Sequence, residues 1–168
     1  AASEEPLPFR LMMLGGDDLL IACDAPRAFP FVIELCRRIR EFDLPDGYPV
    51  DLGVGVAIVK SKYPFHNAHA LAEQLAESAK RLYRSATERH GMSTIDWLVC
   101  HESWHDDLAR VRQEDHVSTW RVDRDRVERL VLTSRPLPVL DRGESGAGRP
   151  LERLWECSRP GDQQAAAP

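Results

Sequence analysis

Two adjacent carboxylates, Asp17 and Asp18, follow two glycines, Gly15 and Gly16, and apolar runs flank the four on both sides (Leu11-Met12-Met13-Leu14 before, Leu19-Leu20-Ile21-Ala22 after). Gly and Asp are poor in strands and good in turns, whereas the flanking runs suit strands. The stretch predicts a β-hairpin with two negative charges at its tip. Neighbouring carboxylates repel, and desolvation next to a core penalises both. A divalent cation relieves this, and an oxygen-only donor set favours Mg²⁺ or Mn²⁺ over Zn²⁺. The glycines remove side chains where a phosphate could approach the backbone. The same four residues also suit an exposed hairpin turn with no ligand, and both readings stand at this point.

The elements that would position this tip follow in order. Asp24 is a candidate N-cap and Pro26 suits a first helical turn. Phe29, Val32, Ile33, Cys36, Ile39 and Phe42 recur at helical spacing, which predicts an amphipathic helix over 27–42. A loop marked by Pro45, Gly47 and Pro49 leads to a strand over 50–59. In it Leu52, Val54, Val56 and Ile58 share one face, and Gly53, Gly55 and Ala57 the other. A small-residue face admits either a tightly packed helix or a ligand.

A long Ala-rich helix is expected over 65–89, with Leu71, Leu75, Ala79 and Leu82 on its stripe and Gly91 as its stop. Lys80 lies on it, and a helical lysine is ordinarily a solvated surface charge. His66 and His69 read as surface histidines. Ser93 to Cys100 predicts a strand, 104–113 a short helix capped by Ser103, and 117–122 a short strand. Asp123 to Arg126 predicts a polar turn, and 130–137 a last extended segment. Leu151 to Trp155 could begin a helix.

The domain expectation is a leader over 1–8, one folded domain over 9–141, and a linker or disordered tail over 142–168. The fold class expected is α+β, with helices on one face of an antiparallel sheet. The formal net charge of −5 argues against bare electrostatic binding of nucleic acid, which needs a basic face, and leaves room for a local basic patch. There is no apolar run of membrane-spanning length and no signal-peptide pattern, so a cytoplasmic setting is expected. Of the four cysteines, Cys23, Cys36 and Cys100 sit in apolar segments and read as core residues of a reduced protein. Cys100, His101 and His105 invite a zinc reading, but their spacing fits no standard site.

Taken together, the hairpin 14–20, the strand 52–59 with its continuation Lys60-Ser61-Lys62-Tyr63-Pro64, and the helix 71–80 ending in Ala79-Lys80 resemble the GGDD palm domain of the large polymerase-like subunit of type III CRISPR–Cas effector complexes. The strand Ile95 to Val99 and the segment Leu132-Thr133-Ser134-Arg135-Pro136 match in order, so the resemblance spans roughly 9–140. GGDEF diguanylate cyclases are more distant relatives of the same pattern. The resemblance implies a ferredoxin-like palm and a nucleotidyltransferase that uses two Mg²⁺ or Mn²⁺ ions to turn ATP into cyclic oligoadenylate messengers in antiviral defence. It implies Asp17 and Asp18 as catalytic metal ligands, and Gly15, Gly16 and Lys80 as nucleotide-binding residues.

Implied partners are other subunits of an RNA-guided complex or a sister palm, with guide and target RNA engaged indirectly and no membrane. Palm sites of this kind use a further acid on a strand that precedes the hairpin, and only eight residues precede the first strand here. The chain is therefore expected to be a fragment or one piece of a split or two-palm protein, with little synthase activity alone. A stand-alone GGDEF-like cyclic-dinucleotide cyclase and a non-catalytic scaffolding palm are the alternatives.

Overall fold

A computed structural model describes residues 8–42, 44–45, 47, 50–85, 92–100, 107–124, 126–131, 133–140 and 150–158. The elements run β1 (Phe9–Gly15), β2 (Asp18–Cys23), α1 (Ala25–Arg40), β3 (Gly53–Ile58), α2 (Phe65–Ser85), β4 (Thr94–Val99), α3 (Leu108–His116), β5 (Val117–Arg121), β6 (Val127–Val131), β7 (Leu137–Pro138) and α4 (Leu151–Cys157). The chain is α+β, as expected, but its sheets are small and mixed. β3, β4 and β7 form one three-stranded sheet in that order, and β1–β2 and β5–β6 are separate two-stranded sheets.

The central unit is β3–α2–β4. Its two strands pair parallel, from Gly53 opposite Thr94 to Ile58 opposite Val99. This corrects the antiparallel expectation. The 21-residue α2 carries the chain back to the starting end of β3, so β4 must run the same way. Within this sheet only β7 is antiparallel, through Thr94–Pro138 and Ile95–Leu137, while the β1–β2 and β5–β6 pairs are antiparallel as hairpins are. Helices also cover both faces rather than one, as parallel strands require. On one face Leu52, Val54, Val56 and Ile95 meet Val32, Ile33 and Cys36 of α1 and Leu151 of α4. On the other, Ala57 and Leu98 meet Leu71 and Leu75 of α2 and Leu108 and Val111 of α3.

The small-residue face of β3 resolves in favour of helix packing. A Cβ at Gly55 would lie 2.0 Å from the Ala72 carbonyl oxygen and 2.4 Å from the Ala76 nitrogen. Backbone atoms of a packed helix cannot move aside, so α2 sits on Gly55 as closely as only glycine permits.

Several boundaries shift. α1 starts two residues earlier than its periodicity suggests, with Pro26 in its first turn. α3 starts at Leu108, and the side chain of Asp107 caps it by accepting from the Ala109 N–H at 2.9 Å. The proposed cap Ser103 lies outside the described residues, as do Gly91 and residues 86–89 of the expected long helix. The polar turn Asp123–Arg126 joins β5 to β6, which begins at Val127, earlier than expected. Within the stretch expected as linker, residues 151–157 form α4, which buries Leu151 in the main cluster. Cys36 and Cys100 are buried, but Cys23 is exposed at the end of β2, in a hairpin that joins no other strand among those described. No helix among the described residues is long and apolar enough to cross a membrane.

Candidate functional site

The hairpin forms as its residues dictate. Gly15 pairs with Asp18, leaving Gly16 and Asp17 as the two turn residues. Gly16 has φ +61°, and no non-glycine residue among those described has a positive φ. A positive φ at the first central position alone is the requirement of a II′ turn, which glycine meets without strain. Asp17 therefore sits in the turn itself and Asp18 opens β2, and both are exposed. The tip is open: a Cβ on Gly15 or Gly16 would meet no atom within 4 Å.

The hairpin is bare along its length as well. Leu11, Met12, Met13, Leu14 and Leu19 are exposed, with Leu14 at 70%. A two-stranded hairpin alone in water is marginal, and this one is anchored mainly at its base, where Phe9 and Phe31 of α1 lie 5.4 Å apart. The next strand along, β3, has β4 on one side and no strand among the described residues on the other. α1 links β2 to β3 in the chain, touching the hairpin through Phe31 and the β3 layer through Val32, Ile33 and Cys36. Two sheets with open edges thus share one supporting helix.

Lys80 belongs to the α2 side of the molecule. Its stem packs on the start of β3, where a Cβ on Gly53 would lie 2.3 Å from its Cγ. The side chain is half-buried, so the plain surface-lysine reading does not describe it. α2 packs on β3, β4 and α3, and the hairpin is not among its main neighbours. The structure therefore brings Gly15, Gly16, Asp17 and Asp18 together and leaves Lys80 on a separate element. Among the described residues no group of three or more His, Cys, Asp or Glu side chains could enclose a metal ion. Cys100 is buried, and its suggested zinc partners His101 and His105 lie outside the described residues. His66 is exposed and His69 half-buried, 3.8 Å from Glu73 and stacked on Phe65, in keeping with surface histidines.

Sequence reasoning missed one constellation. Asp96 on β4 is fully buried and accepts from the Arg112 guanidinium through both oxygens. Arg112 also donates to Ser78 Oγ at 3.0 Å, tying α3, β4 and α2 together. Arg135 lies over the Trp97 ring at 5.1 Å and places Nη2 2.9 Å from His116 Nε2. Burial holds the Arg135 guanidinium below its ordinary range, with nearby Asp96 acting against that shift and Arg112 adding to it. The signal was available: an aspartate on the same strand face as Thr94 and Leu98 must find a cation. With both oxygens engaged, Asp96 acts as a lock rather than a reactive group. Nearby, burial pushes the Cys36 thiol up to about 11, with a hydrogen bond to Ser93 acting against it.

Comparison of the chain with protein-family models, with curated proteins and with solved structures found no match.

Proposed function

We propose that the chain is the GGDD portion of a nucleotidyltransferase palm of the type III CRISPR–Cas large-subunit kind, acting on ATP to form cyclic oligoadenylate. The observation that carries this reading is the hairpin tip: two adjacent carboxylates on a glycine turn, open to solvent on every side that a Cβ would occupy. The donor set fits a hard divalent cation in type and accessibility but not in number. Asp17 and Asp18 would hold Mg²⁺ or Mn²⁺, which supplies charge neutralisation for a triphosphate during in-line attack by a ribose hydroxyl. Gly15 and Gly16 leave the backbone clear for the phosphates. Lys80, on α2, would contribute a cation only where the completed domain brings α2 and the hairpin tip together.

The interrupted sheet supports the same reading. β3 is an edge strand among the described residues and the hairpin is a separate sheet, so a further strand carrying the additional acid would complete both the sheet and the ion site. The ferredoxin-like palm is accordingly the fold proposed for the completed domain. Other subunits of an RNA-guided complex, or a sister palm, would supply the missing surface in a cytoplasmic setting.

Mn²⁺ titration in the presence of ATP, with the parent, Asp17→Ala and Asp18→Ala, tests the assignment. Metal-dependent ATP binding by the parent that both substitutions remove supports it, and equal binding by all three contradicts it. Cyclic oligoadenylate produced by this chain alone with ATP and Mn²⁺ would contradict the incompleteness of the site. Preference for GTP would favour a GGDEF-like cyclase, and absence of nucleotide binding a scaffolding palm. The scaffolding alternative draws on the exposed Leu and Met side chains of β1.

A further inference from the structure

The β5–β6 arm is a second two-stranded sheet that pairs with no other strand among those described. Its register sets Thr119 against Arg129, Trp120 against Glu128 and Arg121 against Val127. Trp120 and Leu130 therefore share one face and are both exposed, at 44% and 47%. Arg121 and Arg129 share the reverse face with Val127, and Arg124 sits in the connecting turn. Residues 121–129 hold four arginines against three carboxylates in a chain whose net charge is −5. Arg126 is paired with Glu128, and Arg129 donates to the neutral amide of Gln113 at 3.3 Å. Among the described residues Arg121 and Arg124 form no ion pair.

We infer that this arm binds single-stranded nucleic acid. A half-exposed indole offers a stacking platform for a base, and every base has a π-face to place on it. A ribbon of two strands is only ~5 Å wide between strand axes, so the long arginines of the reverse face and the turn reach phosphates of a strand lying along its edge. The rest of the chain is acidic and its other exposed hairpin carries Asp17 and Asp18, so repulsion elsewhere directs a polyanion to this arm. An acidic protein segment would satisfy the arginines but would gain nothing from stacking on Trp120.

The test uses fluorescein-labelled oligouridylate and oligodeoxyadenylate of ~16 nucleotides, followed by anisotropy and tryptophan emission at salt between ~50 and ~300 mM. Binding is expected with quenching of the emission, and loss of that quenching in Trp120→Phe assigns it to Trp120. Trp120→Ala is expected to weaken binding ~10-fold, whereas Trp120→Phe keeps most of the affinity. The double variant Arg121→Gln, Arg124→Gln should weaken binding at low salt and lower the log–log salt slope by ~1.4. Because the arm is exposed, these variants should melt like the parent, and thermal unfolding checks that they do. Absence of binding, equal binding by the arm variants, or competition by oligoglutamate as effective as by oligonucleotide overturns the inference. Asp17→Ala should bind the oligonucleotides like the parent, so this inference and the palm reading succeed or fail separately.

Discussion

The β3–α2–β4 unit and the β1–β2 hairpin are built from similar apolar strands but sit in opposite environments. Ile95 of β4 is fully buried, and Gly55 of β3 lies against helix backbone, while Leu14 of β1 is 70% exposed and the glycines beside it meet nothing. The unit spends its glycines on close packing, and the hairpin spends its glycines on a turn and an open tip. Glycine in this chain thus marks a structural seam in one place and a candidate ligand site in the other, and only the neighbours distinguish the two.

Substitutions should separate the two regions sharply. Gly55→Val places side-chain carbon where the Ala72 and Ala76 backbone stands, and should cost about 3 kcal/mol or more by denaturant unfolding. Asp96→Ala strands Arg112, whose side chain is 19% exposed, against an uncharged cavity. A loss of about 3 kcal/mol is expected, with part of it recovered when Arg112→Met is added. Gly53→Ala is milder, near 1 kcal/mol, because the atom in the way is the flexible Lys80 stem rather than backbone. In the hairpin, Leu14→Asp should change stability by less than about 0.5 kcal/mol. A hairpin substitution as costly as Gly55→Val would show that the hairpin is packed against something, and the contrast would fail.

The thiols provide a pH test of the same contrast. The folded state raises the Cys36 thiol from 9.0 to about 11, so the unfolded chain releases this proton first. Stability is therefore unaffected by this group below pH 9.0 and declines as pH climbs toward about 11. The decline should be shallower in Cys36→Ala, measured as the urea midpoint against pH. Exposed Cys23 and Cys157 should react with a thiol reagent in the native protein, and buried Cys36 should react only on unfolding.

Much of this arrangement was legible in local pattern. The hairpin tip, the alternation along β3 and the amphipathic stripes of α1 and α2 all follow from spacing alone. What escaped were relations between distant residues. The parallel pairing of β3 with β4 depends on where α2 returns the chain, and covering both sheet faces depends on α1 and α4 closing one face while α2 and α3 close the other. Asp96 and Arg112 are 16 residues apart on different elements, so their pairing leaves only the trace of an unexplained acid on a core strand. Cys23 misled because an apolar run implies burial only where another layer covers it. The small-residue face of β3 left helix and ligand open until the position of the Ala72 carbonyl decided it.

The central claim is that the tip of the hairpin is a metal-dependent nucleotide site. Isothermal titration of ATP into the chain with Mn²⁺, repeated with Asp17→Ala and with EDTA, tests it most directly. The account predicts weak heat of binding that disappears in both controls while the unfolding midpoint stays unchanged. Binding that survives the loss of Asp17 and of metal would contradict it.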